Sequence, residues 1–78
     1  MMNRQDIYDK MAEIEELSDE VDSSEGMYAL HWDDVYDIEI NGRVIPASSL
    51  LLTDTTLDVF GVAGFQKFEF SEIQDLEL

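Results

Sequence analysis

The chain has 78 residues, no cysteine, and 19 Asp and Glu against four Lys and Arg, giving a net charge of −15. This length supports one domain (residues 1–78) with a core near the lower limit of what can hold a fold, unaided by disulfides or thiolate metal sites. The charge argues against direct nucleic-acid binding, which needs a cationic patch, and against an anionic membrane surface.

Four Phe, three Tyr and one Trp within a hydrophobic share of 45% are the composition of a folded protein, since disordered acidic chains lack such aromatics. No run is long or apolar enough to be a signal peptide or a membrane span, so a cytoplasmic location is expected. Nine acids and two bases before Gly26 leave −7, and ten acids and two bases after it leave −8, so acidity is not confined to a tail.

Residues 3–22 read as an acidic amphipathic helix. Ile7, Met11, Ile14, Leu17 and Val21 recur at helical spacing and form one apolar face. At about 100° per residue, Asp6, Asp9, Glu13, Glu16 and Glu20 fall on a second strip roughly 80° wide. Its four like-charged neighbours cost about 0.2–0.5 kcal/mol each, which lysines at alternate positions would have reversed. Asn3 reads as the N-cap, with Asp6 in the capping-box position. Asp19, Glu20 and Asp22 oppose the helix dipole, so fraying is expected beyond Leu17 or Val21. Ser23 to Gly26 reads as a loop with Gly26 as the stop.

Residues 27–78 read as an antiparallel β region. Tyr28–Trp32 is expected to be a strand, Asp33-Asp34 a turn, and Val35–Ile40 an alternating strand with Asp37 and Glu39 on one side. Asn41-Gly42 predicts a two-residue hairpin turn, because both residues tolerate positive φ. Arg43–Ile45 is the return strand, with Pro46 ending it or marking an edge. Leu50–Leu52 predicts a buried run, Asp54-Thr55 a turn, Thr56–Phe60 a strand, Gly61 to Gly64 a loop and Phe65–Phe70 another strand. Ser71–Ile73 predicts one helical turn before Leu76 and Leu78 close the sheet.

The fold class is therefore α+β: one N-terminal amphipathic helix packed on a small antiparallel sheet or barrel of about five strands. The ending Phe68-Glu69-Phe70-Ser71-Glu72-Ile73-Gln74-Asp75-Leu76-Glu77-Leu78 resembles the last strand, short turn and closing strand of Sm-like and SH3-like barrels. That resemblance covers the last two-thirds of the chain and carries no function, because the basic contacts of RNA-binding Sm proteins are missing here.

No catalytic residue is assigned. His31 is the only histidine, no glycine-rich nucleophile turn precedes a serine, and a structural or surface role for His31 is expected. Nineteen acids generate carboxylate pairs by chance, and a small domain has little room for a cleft, so an enzyme is not expected. No metal site and no cofactor are assigned: Asp19–Gly26 departs from a calcium loop in ligand register and lacks the terminal bidentate acid.

Charge display remains. The nine acids from Asp6 to Glu25 would span about 28 Å as a continuous helix, comparable in linear density to a nucleic-acid strand with one charge per about 3.4 Å. The strip of five alone is sparser, so Asp33, Asp34, Asp37 and Glu39 are expected to add to the field. In size, charge and lack of enzymatic motif the chain resembles the small acidic nucleic-acid-mimic inhibitors that bacteriophages direct against restriction enzymes, nucleases and CRISPR complexes. The resemblance implies a non-enzymatic inhibitor blocking a basic nucleic-acid-binding site on a partner protein, in the host cell cytoplasm. The alternative is a small protein–protein interaction or regulatory module using an aromatic or sheet-edge surface, with Tyr28, Trp32 and Tyr36 as anchors.

Overall fold

The computed structural model describes residues 1–78 and has the expected class: one N-terminal helix packed on an antiparallel sheet, here of six strands. The elements are α1 (Arg4–Ile14), a 3-10 turn (Glu15–Leu17), β1 (Glu20–Ser24), β2 (Met27–Ile40), β3 (Arg43–Leu52), β4 (Thr56–Gly61), β5 (Gly64–Glu69), a second 3-10 turn (Phe70–Glu72) and β6 (Leu76–Glu77). Strands β1 to β5 pair in chain order, and β6 returns to pair with the far end of β2. The sheet is open, so the barrel closure expected from the C-terminal pattern is not formed. No helix is long and apolar enough to cross a membrane.

The helix begins as its sequence dictates. The Asn3 side chain accepts from the Asp6 amide at 2.9 Å, and the Asp6 carboxylate accepts from the Asn3 amide, completing a capping box. Ile7, Met11 and Ile14 lie on one stripe and are buried. They pack with Leu30, Leu50, Val59, Leu52 and Leu57 from one face of the sheet, and with Ile73 and Leu76 from the C-terminal segment. Arg4 locks this end in place: Nε donates to the Thr53 carbonyl at 3.0 Å and Nη2 to the Gly26 carbonyl at 2.9 Å. One helix terminus is thereby tied to two separate sheet turns.

The helix expected over 3–22 is shorter than its apolar period. It stops at Ile14, passes through the 3-10 turn, and the chain from Glu20 becomes an edge strand. Leu17 and Val21 are 58% and 42% exposed, so they do not extend the buried stripe. Two effects explain the change. Ser18, Val21, Ser23 and Ser24 are mediocre helix formers, and Asp19, Glu20 and Asp22 stand against the helix dipole. Pairing with β2 from Glu20↔His31 to Ser24↔Met27 instead satisfies the backbone on one side of the segment. Gly26 is then the second residue of a two-residue hairpin, not a helix stop.

A second correction concerns Asp33-Asp34. They are not a turn between strands but part of one 14-residue strand. Between His31↔Ser49 and Tyr36↔Ala47 the register shifts, so Trp32–Val35 bulge out where β3 contributes only Ser48. Asn41-Gly42 forms the expected hairpin, both residues at positive φ (53° and 80°). Pro46 does not end the return strand. It lies inside β3 opposite Asp37, yet it has no partner on β4, whose ladder starts at Ala47↔Gly61. Its missing N–H therefore breaks no bond on that side.

Candidate acidic interaction surface

The break in the helix redistributes the five-residue strip. Asp6 is held in the capping box and Asp9 accepts from the Gln5 side chain at 2.8 Å. Glu13 stays on the exposed side of α1, Glu16 falls in the 3-10 turn, and Glu20 opens β1. A straight line of carboxylates at helical rise is therefore not what the fold displays.

What the fold builds is a corner. The Asp19 amide donates to the His31 carbonyl at 2.8 Å, and the Asp33 amide donates to Asp19 Oδ2 at 2.7 Å. These two bonds pin the start of β1 against the bulge of β2, and Glu20 lies directly opposite His31. Asp19, Glu20 and Asp33 are thus brought together from segments more than a dozen residues apart. Glu16 and Asp34 flank them in the chain, and of these five side chains only that of Asp19 carries a hydrogen bond. Asp19 was missing from the residues expected in the surface; its only signal in the sequence was its proximity to Glu20.

Asp37 and Glu39 sit further along β2, beyond the bulge. They line a hollow of about 310 Å³ with Ile38, Val44, Glu77 and Leu78, and Glu39 is directly opposite Glu77. Like charges in that arrangement repel, and no cation lines the hollow. Asp37 and Glu39 consequently form a separate acidic site with Glu77, not an extension of the corner.

The carboxylates are not neutralised by their neighbours. Every hydrogen bond that a carboxylate accepts comes from a neutral donor: the amides of Asn3, Asp33, Glu69 and Glu72, the Gln5 side chain and the Tyr28 hydroxyl. Arg4 is turned to backbone carbonyls. No group of three or more His, Asp or Glu side chains is arranged to hold a metal ion.

The aromatic anchors considered for the alternative reading are mostly inside. Tyr28 and Trp32 are 3% and 9% exposed and belong to the core, and Tyr36 stacks on Trp32 with ring centroids 4.9 Å apart. The aromatics left on the surface are instead Tyr8, beside Tyr28 on the helix, and Phe60 and Phe65 on the sheet. His31 is half-buried with Nδ1 2.6 Å from Ser49 Oγ.

Tyr28 has a further role at the helix–sheet joint. Its hydroxyl donates to Glu15 Oε1 at 2.6 Å, and its ring packs on Tyr8. Burial, and then the Glu15 carboxylate, push the hydroxyl well above the usual phenol range. In the unfolded chain this proton leaves near pH 10, whereas the folded chain retains it. The resulting stability is complete below about pH 10 and is lost as pH rises from there toward the folded value. Tyr28→Phe should therefore flatten the alkaline fall in stability, at a cost of about 1 kcal/mol at neutral pH for the lost bond. Urea denaturation of both proteins from neutral to strongly alkaline pH measures this; parallel curves would contradict it.

The fold and surface together describe an α+β protein with an acidic corner held by backbone pairing. Comparison with known protein families, with curated proteins and with solved structures finds no match.

Proposed function

We propose that this protein is a non-enzymatic inhibitor that occupies a nucleic-acid-binding groove on a basic partner protein, with carboxylates standing where phosphates would bind. The observation that carries the reading is the corner of Asp19, Glu20 and Asp33, held by the β1–β2 ladder and the Asp33–Asp19 bond, flanked in the chain by Glu16 and Asp34 and left without cationic partners within a net charge of −15. Glu13, exposed on α1, adds to the same field. Such a surface is prearranged: its self-repulsion is already present in the free protein and is relieved when a cationic groove covers it. Complementary charge also speeds encounter and suppresses wrong partners.

Asp6, Asp9, Asp37 and Glu39 belong in this reading to the long-range field and not to the contact. The sequential order of the last five strands is similar to that of Sm-like and SH3-like barrels, but the proposed activity depends on the charged corner alone. A role against nucleic-acid-directed host defences, exerted in the cytoplasm, fits the surface.

The test is displacement. Proteins retained from a bacterial lysate on the immobilised chain at about 50 mM salt are challenged with a short random-sequence duplex, then with salt raised to about 200 mM. The retained proteins should be released by the duplex, bind the duplex themselves, and elute steeply with salt. Retention that the duplex leaves intact would refute mimicry.

A further inference from the structure

The sheet has a second face that the helix does not cover. Pairing registers place two rows of side chains across it: Glu20–His31–Ser49–Phe60–Phe65 and Asp22–Ala29–Leu51–Asp58–Lys67. Between the rows lies a hollow of about 350 Å³ lined by Asp22, Ala29, His31, Ser49, Leu51 and Phe60. Phe60 and Phe65 are 39% and 53% exposed, and their rings pack at 4.8 Å between centroids with a 38° tilt between their planes. Asp58 is only 6% exposed, and its Oδ1 has no hydrogen-bond partner.

We infer that this open face is a docking surface for an extended peptide segment of a partner protein that presents an aliphatic or aromatic side chain next to a lysine or arginine. The hollow is at the lower end of the range for ligand sites and accommodates one or two side chains. Ala29, Leu51 and Phe60 provide its apolar part, and an exposed aromatic pair beside it is the kind of anchor that dominates hot spots. The cationic requirement follows from charge. Asp22 lines the hollow, Glu20 ends the neighbouring row, and Asp58 lies on the same face with an unpartnered oxygen, against Lys67 as the one cation in the two rows. An acidic segment, or a second copy carrying −15, is repelled by the same field. Main-chain groups along the free edge of β1 offer an extended segment additional bonding.

This surface does not rest on the mimicry reading. Its anchor residues, Leu51 and Phe60, lie outside the acidic corner, so either proposal can fail alone. Three short synthetic peptides serve as probes, alternating Leu–Arg, Ala–Arg and Leu–Gln, in amide-resolved NMR titrations. The Leu–Arg peptide should shift the amides of Ala29, His31, Ser49, Leu51 and Phe60 saturably and bind about tenfold more tightly than either control. Phe60→Ser should weaken it about tenfold, Phe60→Leu should retain it, and Glu13→Gln with Glu16→Gln should change it little. Equal binding of Ala–Arg and Leu–Arg, or shifts confined to Asp33, Asp34 and the helix, would mean charge attraction without docking and would overturn the inference. Concentration-dependent self-association that broadens the same five amides without peptide would overturn it in favour of a second copy.

Discussion

Gly61→Ala is expected to destabilise this protein by about 3 kcal/mol or more, the upper range for forcing an atom into a packed site. A Cβ at position 61 would stand 2.1 Å from the Pro46 carbonyl oxygen and 3.3 Å from the Ala47 Cα, and both are backbone atoms. The approach is close because Gly61 pairs with Ala47 where β3 and β4 change register. No side-chain rotation relieves it; one strand must move away from the other. For a chain of this length, total stability is about 4–12 kcal/mol, and each kcal/mol corresponds to about 4–8 °C in melting temperature. A fall of some 12 °C or more is expected, with the m-value unchanged.

Gly64 is the internal comparison. Its φ of 101° favours glycine, but nothing lies within 4 Å of where a Cβ would stand. Gly64→Ala should therefore cost only the conformational term, about 1–2 kcal/mol. If the two variants melt together, the Pro46–Gly61 approach does not govern stability.

The second large effect concerns the corner. Converting Glu16, Glu20, Asp33 and Asp34 to their amides removes four charges from one surface. At about 0.5 kcal/mol for each exposed pair, affinity for proteins that the duplex displaces should fall by about 2 kcal/mol, or roughly thirtyfold. A matched set, Glu25, Asp54, Asp75 and Glu77, removes the same charge from elsewhere and should weaken binding only through the general field. Stability should move the other way. Relief of like-charge repulsion within the corner should hold or raise the melting temperature of the corner variant. Weaker binding with an undiminished melting temperature separates a contact role from a structural one. Equal losses for the two sets would leave net charge, and not the corner, as the determinant.

The legibility of these features differed by residue. The capping box at Asn3 and Asp6, the Asn41-Gly42 hairpin and the 3-10 turn before Leu76 are local, each specified within a few residues by hydrogen bonding or permitted φ. All three were readable. Leu17 and Val21 misled because they continue a helical period that the chain abandons; periodicity cannot register that β2 offers a competing partner. Asp33 and Asp34 misled for a related reason, since polar residues between two apolar runs mark a turn and a bulge equally well. Phe60 was placed in a strand, yet which face it would occupy depends on the register with Ser49 and Phe65, which no local pattern encodes.

The amino-acid sequence by itself determined the quantity of negative charge, the absence of thiol chemistry, the α+β class and the positions of the tightest turns, because these depend on composition or on bonds within a few residues. The tertiary structure alone decided how the charge is arranged. It cut the helical strip at Ile14, folded Glu20 back against His31, and pinned Asp33 to Asp19. It also left Phe60 and Phe65 on an uncovered face while Tyr28 and Trp32 went inside. Those outcomes depend on pairing between distant segments, whose free energy exceeds the small local preference for continuing a helix.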